Sequence, residues 1–162
     1  MDIPIRYQRM EAGDEIQVST FITEVFNQFV AQGFSQEGIG EFMKYIQPDT
    51  LANHLKSNHF GLIAFVGPKI IGVIVVRDYN HVALFFVDSR HQRRGIGRKL
   101  FNKALELCVC HDIKISKITV NASPNSINAY KNLNFEPTDS EQCVNGIRFV
   151  PMIFRIKQTR SG

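Results

Sequence analysis

The stretch VALFFVDSRHQRRGIGRKLFNKALEL, residues 82–107, constrains this chain more than any other. Val82 to Val87 is continuously apolar and contains two phenylalanines, which predicts a strand buried on both faces. Asp88 ends it. From Leu100 the apolar residues Leu100, Phe101, Ala104, Leu105, Leu107 and Cys108 recur at helical spacing, leaving Lys99, Asn102, Lys103 and Glu106 for solvent. The helix is expected to start near Gly97. Between strand and helix lies Gln92-Arg93-Arg94-Gly95-Ile96-Gly97. Gly95 and Gly97 carry no Cβ, so backbone there can approach a ligand closely and adopt positive φ. A helix N-terminus aims unpaired N–H groups and the positive end of its dipole into such a loop, and Arg93, Arg94, Arg98 and Lys99 add full positive charge. The guest these features predict is a phosphate or pyrophosphate.

Two familiar phosphate loops do not fit. A Walker loop needs G-x-x-x-x-G-K-[ST], and the dinucleotide fingerprint needs a third glycine where this chain has Leu100. The stretch resembles instead the acetyl-CoA-binding signature of the GNAT N-acetyltransferase family, Q/R-x-x-G-x-G/A between a strand and a helix, with Gln92, Gly95 and Gly97 at its constrained positions.

A chain of 162 residues is long enough to bury roughly 70% of its unfolded surface around one core. The expected organisation is one domain over 1–157 with a frayed tail at 158–162. No apolar run approaches the ~18 residues of a membrane span, and MDIPIRYQRM has neither an apolar stretch nor a cleavage site, so a cytoplasmic protein with no membrane partner is expected. Cys108, Cys110 and Cys143 are odd in number and fit neither a disulfide framework nor a zinc pattern; they are expected to be reduced thiols, and no metal is expected. The net charge of +4 is gathered at 90–99 and 155–160. Without a recognisable nucleic-acid module or aromatic stacking motif, that basic cluster does not predict nucleic-acid binding.

Along the chain, Ile3 to Met10 reads as a strand and Gly13-Asp14 as a turn and helix cap. Val18, Phe21, Ile22, Val25, Phe26, Phe29 and Val30 form a helical stripe that ends at Gly33. Ser35 is placed to cap a short helix to about Ile46; Pro48 should break it, and Asp49 should cap another to about Lys56. This segment is expected to lie at the surface, with Phe42, Met43 and Tyr45 either lining a pocket or packing on the sheet. Phe60–Val66 and Lys69–Arg77 are strands joined by Gly67-Pro68. A strand over Lys117–Val120 leads to a helix from Asn125 to Leu133, with Ser123 as cap and Pro124 at its start. Strands near Thr138–Val144 and Ile147–Ile156 turn at Asn145-Gly146. The order predicts an α/β (α+β) protein with a central mixed, mostly antiparallel sheet of about seven strands and helices on both faces, the order of the GNAT fold. An edge strand near the C-terminus leaves a homodimer open.

The stretch 121–135, NASPNSINAYKNLNF, resembles the second GNAT signature, in which a strand end and helix carry a tyrosine before a closing L-G-F. Asn134 stands where the family has glycine; asparagine tolerates left-handed backbone next best, so the same helix stop is expected. The resemblance implies that Tyr130 lies near the thioester sulfur of acetyl-CoA as general acid toward the departing thiolate. A tyrosine hydroxyl, with a reference pKa of about 10, can donate while protonated at neutral pH. The resemblance further implies that the backbone of Phe86 and Val87 runs along the pantetheine arm, with an N–H near Val87 facing the oxyanion. It also places Gln92, Arg93, Arg94, Gly95, Ile96, Gly97 and Arg98 around the pyrophosphate, with Asn121, Ser123 and Asn128 as further polar contacts.

The acceptor is expected to be a small-molecule or peptide amine, which must lose a proton. Val82–Val87 lacks the glutamate that some family members place there. His81 is the first candidate base, because histidine titrates near neutrality, and Asp78 the second; a structural histidine and a water relay are equally open. The missing carboxylate also leaves a second reading, a non-catalytic acyl-CoA-binding module or sensor.

Overall fold

The computed structural model describes residues 3–91 and 94–157, with backbone alone at 29, 30 and 32. Gln92 and Arg93 of the glycine loop, and the tail 158–162, lie outside the described residues. Eight strands form one connected arrangement in the order β1-β2-β3-β4-β5-β8-β6, with β7 paired to β8. They are β1 (Ile5–Arg9), β2 (His59–Val66), β3 (Lys69–Arg77), β4 (His81–Val87), β5 (Lys117–Ala122), β6 (Glu136–Pro137), β7 (Gln142–Val144) and β8 (Ile147–Arg155). Among the described residues only β4 and β5 run parallel; the fold is the expected mixed, mostly antiparallel sheet.

The helices are α1 (Glu15–Val25), α2 (Gln36–Tyr45), α3 (Pro48–Lys56), α4 (Ile96–His111) and α5 (Ile127–Asn132). Apolar alternation along the strands sends two sets of side chains to opposite faces. On one face Leu62, Ala64, Ile74, Val76 and Val82 meet Ile96, Leu100, Phe101 and Ala104 of α4, with Tyr130 of α5 in the same cluster. On the other, Ile63, Phe65, Val73, Val75 and Leu84 meet Val18, Phe21, Ile22 and Val25 of α1 and Leu51 of α3.

Several expectations need correction. The first helix does stop before Pro48, α2 ending at Tyr45, and Pro48 itself opens α3 at its first position, where its missing N–H costs nothing; the cap residue is Gln47, however, and Asp49 lies in the first turn. The stripe that ends at Gly33 does so through a π-helical turn at Phe26–Val30 and a 3-10 turn at Ala31–Gly33. Helix 125–133 divides into a 3-10 turn, Pro124–Ser126, and α5. The strand expected from Thr138 shortens to β7, and β6 appears before it. Most consequentially, β4 is not buried on both faces: Val82 and Leu84 are buried, but Phe85, Phe86 and Val87 are half-buried. Its apolar run lines a cleft.

The two turns read from asparagine do form as expected. Asn134 has φ 73° at the end of α5, and Asn145 and Gly146 have φ 53° and 78° between β7 and β8.

Ser35 caps α2 by accepting the Gly38 N–H at 3.1 Å, and its hydroxyl donates to the Gly146 carbonyl at 3.1 Å. Backbone meets backbone there, and a Cβ on Gly38 would run into the Gly146 carbonyl. Gly40, two residues on, has open space around it. The two glycines of one helix should respond oppositely to alanine. Gly38→Ala is expected to cost about 1–3 kcal/mol through overpacking; Gly40→Ala should gain up to about 1 kcal/mol from helix propensity. Thermal unfolding of both variants checks this, at roughly 2–4 °C per kcal/mol for a chain of this size.

Candidate active site

The cleft begins where β4 and β5 part. They pair only at His81↔Thr119 and Val82↔Val120. A bulge at Ala83, between the pairs Val75↔Leu84 and Val76↔Val82, bends β4 just beyond them. β5 instead follows β8 from Lys117↔Arg155 to Ala122↔Val150. The opening between the two strands is a cleft of about 1300 Å³, larger than the roughly 300–1000 Å³ of a pocket for one drug-sized ligand.

The glycine loop stands at this opening. Gly95 is the cap residue of α4 at φ 76°, a left-handed conformation that costs L side chains about 1–2 kcal/mol. Gly97 is different: a Cβ there would meet only Phe85 and Val87 at ordinary distances of 3.7 Å. The chain's own packing therefore leaves Gly97 room, consistent with a signature that admits alanine at that position. Upstream, Asp88 is buried and accepts from the Arg90 N–H at 2.9 Å and from its guanidinium at 3.2 and 3.0 Å. The hydrogen bonds from Arg90 hold the Asp88 carboxyl below its ordinary range against the cost of burial. Asp88 thus anchors the turn leading to the loop and occupies Arg90, a role visible in sequence only as an acid two residues before a basic side chain.

Of the residues expected in the site, Phe86, Val87, Gly95, Ile96, Gly97, Arg98, Asn121, Ser123, Tyr130 and His81 all line the cleft. Arg94 is exposed at the loop and Asn128 is exposed on α5; neither is in the wall. Asn125, Ser126 and Asn132 line it as well. Arg98 donates to the Asn132 carbonyl at 2.8 Å, tying α4 to the end of α5. Ser123 and Ser126 join hydroxyl to hydroxyl at 2.8 Å, and the Ser126 hydroxyl reaches the Ser123 carbonyl at 2.9 Å. Ser123 thus binds within its own turn without making the expected side-chain cap.

Tyr130 is nearly enclosed, with Phe135 and Phe85 edge-on at centroid distances of 5.3 and 6.1 Å. Burial pushes its hydroxyl pKa up, so it stays protonated through any physiological pH. His81 Nδ1 is 2.6 Å from Thr119 Oγ1, and the Thr119 hydroxyl reaches the Asn80 carbonyl at 3.4 Å. A threonine oxygen whose hydrogen points to a carbonyl accepts from Nδ1, which leaves the lone pair on Nε2. Burial first, then the positive charge of Arg77, pull the His81 pKa down to about 4, with Asp78 opposing.

The segment before β2 supplies the remaining wall. Phe26, Phe34, Phe42 and Tyr45 line the cleft together with Val144, Ile147, Arg148 and Phe149 of the last hairpin. The alternatives left open for Phe42 and Tyr45 are both realised, since each also packs against the core beneath α1. Cys108 is buried, with its thiol pushed up to about 11, while Cys110 and Cys143 are exposed and all three are free. Among the described residues, no group of three or more His, Cys, Asp or Glu side chains is placed to hold a metal ion, and no helix is long and apolar enough to cross a membrane.

A family model described as the acetyltransferase (GNAT) domain matches residues 30–156. Comparison with curated proteins finds no match. Among solved structures, a GCN5-related N-acetyltransferase from Rhodopseudomonas palustris superposes with a TM-score of 0.80 at 16% identity, covering 96% of this chain and 99% of that one. The PaiA N-acetyltransferase of Thermoplasma acidophilum, solved in complex with coenzyme A, gives 0.77 at 18%, covering 94% and 99%. The ribosomal-protein-S18-alanine N-acetyltransferase of Escherichia coli gives 0.68 at 13%, covering 98% and 97%. At these identities the structures show a shared fold, and the family model adds the class of chemistry, acyl transfer. The chain belongs to the GNAT acetyltransferase family.

The depressed pKa of His81 predicts an acid-sensitive fold. Between about pH 4 and 6.5 the unfolded chain binds a proton at His81 that the folded chain refuses, so stability falls as pH drops through that window. One proton contributes at most about 1.4 kcal/mol per pH unit, less what solvent screening removes. His81→Asn, whose amide keeps a donor toward Thr119, should reduce the slope of unfolding free energy between pH 6.5 and 5, measured by denaturant titration, and leave the share of His59, whose pKa burial likewise lowers to about 4.

Proposed function

We propose that the protein transfers an acetyl group from acetyl-CoA directly to a primary amine. The observation that carries this reading is that the Gly95–Gly97 loop and Tyr130 line one and the same cleft, opened by the parting of β4 and β5. The N–H groups at the start of α4, with Arg94 and Arg98 beside them, suit the pyrophosphate. The pantetheine arm would then lie along the backbone of Phe86 and Val87, with an N–H near Val87 toward the developing oxyanion. Asn121 and Ser123 would contact the cofactor; Asn128 would do so only from the rim. The CoA-bound Thermoplasma relative has the same fold.

In the reaction the amine lone pair attacks the thioester carbonyl carbon. A C–N bond forms, the C–S bond breaks with its electron pair going to sulfur, the thiolate accepts a hydrogen bond from the Tyr130 hydroxyl, and the proton lost by nitrogen passes to solvent. A thiol has a reference pKa of about 8.5 and tyrosine about 10. Because burial raises Tyr130 further, a hydrogen bond to the thiolate contributes more than complete proton transfer. His81 would serve as the first stop for the amine proton, through Nε2. The protein would act in the cytoplasm on a soluble small molecule or peptide.

The absence of a carboxylate on β4 favours one other reading, an acyl-CoA-binding module without turnover. Calorimetry with acetyl-CoA and free-thiol release with added amines separate the two. Arg94→Glu is expected to weaken acetyl-CoA binding about tenfold, or about 1.4 kcal/mol. Tyr130→Phe is expected to slow thiol release by roughly 10²-fold with little change in acetyl-CoA affinity; an unchanged rate would remove Tyr130 from the mechanism.

A further inference from the structure

A polar row crosses the sheet face that carries α1 and α3. His59 of β2 lies opposite Arg77 of β3, and Arg77 lies opposite His81 of β4. Directly opposed residues project from the same face, so the three side chains stand in line. Tyr45 of α2 joins the row, with its Oη 3.2 Å from His59 Nε2.

The direction of that bond follows from its far end. The Asn58 amide donates through Nδ2 to the Asp78 carboxylate at 2.9 Å, which turns its carbonyl oxygen toward His59 Nδ1 at 2.7 Å. Ser57 Oγ donates to the same oxygen at 3.1 Å. An amide oxygen only accepts, so His59 Nδ1 carries a hydrogen. His59 is neutral at ordinary pH, because burial, then His54 stacked on it at 4.2 Å and Arg77, draw its pKa down to about 4 against the pull of Asp78. A neutral ring protonated at Nδ1 offers a lone pair at Nε2. Tyr45 must therefore donate to His59, and its oxygen is left with lone pairs alone for any further partner. In a cleft that receives an amine, such an oxygen selects an N–H donor.

The wall beside Tyr45 is aromatic. Phe26 stacks on Phe42 at 4.2 Å and meets Phe34 edge-on at 5.0 Å. The charges on this side already have partners. Glu41, the sole carboxylate among the described lining residues, is 3.4 Å from Lys44 Nζ. Arg148 donates to Glu141 through Nε at 2.9 Å and through its terminal nitrogen at 3.0 Å. Arg77 is 3.8 Å from Asp78. No ring of carboxylates awaits a polycation, and Arg148 offers no unshared fork to a substrate carboxylate. Arg77 adds a field that opposes positive charge, as its action on His54, His59 and His81 shows.

We infer that the acceptor is an apolar, aryl- or alkyl-substituted primary amine, bound uncharged, with one N–H donated to Tyr45 Oη and its tail against Phe26, Phe34 and Phe42. This rests on the acyl-transfer reading above and names the substrate class for the same cleft. Tyr45 is a catalytic residue in that it touches the reacting nitrogen; His59 and Asn58 are positioning residues that fix its polarity.

The test uses the full chain, acetyl-CoA and 2-phenylethylamine, with spermidine and glycine as contrasting acceptors. Thiol release should saturate with 2-phenylethylamine at a KM at least tenfold below that of the other two. Tyr45→Phe keeps the ring and should raise that KM about tenfold while calorimetric affinity for CoA stays the same. His59→Gln, whose amide oxygen can accept from Tyr45, should retain a KM near that of the unmodified protein, and His59→Phe should not. Nitrogen-15 spectra of histidine-labelled protein at neutral pH should show His59 protonated at Nδ1, whatever the acceptor. The inference is overturned by preference for spermidine or glycine, by CoA binding without turnover of 2-phenylethylamine, by an unchanged KM in Tyr45→Phe, or by His59 protonated at Nε2. Failure to bind CoA at all would instead remove the acyl-transfer reading, and this inference with it.

Discussion

Two residue pairs join β4 to β5, and the cleft exists because the ladder goes no further. β1 to β4 form one antiparallel half of the sheet and β5 to β8 the other, with a short parallel seam between them. Parallel strands begin their following helices on the same side, so α4 after β4 and α5 after β5 both start at the opening. What keeps the halves from separating is aromatic. Phe85 of β4, Tyr130 of α5, Phe135, Phe101 of α4 and Phe154 of β8 form an unbroken series of ring contacts at centroid distances of 5.1 to 6.1 Å. Such contacts are each worth about 0.5–1.5 kcal/mol beyond burial. Tyr130 is therefore both part of the weld and part of the cleft wall, which explains why a polar hydroxyl sits where packing demands a ring.

On the opposite face burial is the first influence on the titratable groups and Arg77 adds to it. The arginine lowers the pKa of His54, His59 and His81 and opposes the upward shift of Tyr45. An imidazole at about 4 is a weak base. Against an alkylammonium with a pKa near that of lysine, about 10.4, it falls short by some 6 units, or about 8 kcal/mol. With the amine acceptor proposed above, neither His59 nor His81 can strip a ground-state ammonium. The proton must be gone before binding, or must leave while the C–N bond forms and the nitrogen becomes strongly acidic. A cationic neighbour favours the first route, because it lowers the amine's own affinity for a proton.

Much of this was legible from local residues. The hairpins at Gly67-Pro68 and Asn145-Gly146, the αL stop at Asn134, the cap at Ser35 and the loop at Gly95 each follow from the conformational freedom of one or two residues. What escaped depends on contacts between distant segments. The apolar run of β4 looked doubly buried because a cleft wall and a core face use the same side chains. Asp49 looked like a cap because an acid in the first turn and a cap residue share one residue type. The Tyr45–His59–Asn58–Asp78 chain joins three segments, and only strand register brings His59 level with Arg77 and His81. Nothing in the linear spacing of these residues suggests it.

The acceptor side also differs from the cofactor side in how it is held. The turn that precedes the Gly95 loop is held by bonds within two residues, Asp88 to Arg90. The roof over the acceptor is fixed by a contact spanning 111 positions in sequence, Ser35 to Gly146, made where two glycines let backbones meet. Local bonds survive changes elsewhere in the chain; a clasp between distant segments makes α2 and the last hairpin move as one. Phe42 and Tyr45 on α2 and Phe149 on β8 then keep a set spacing, and the width available to an acceptor follows from that clasp.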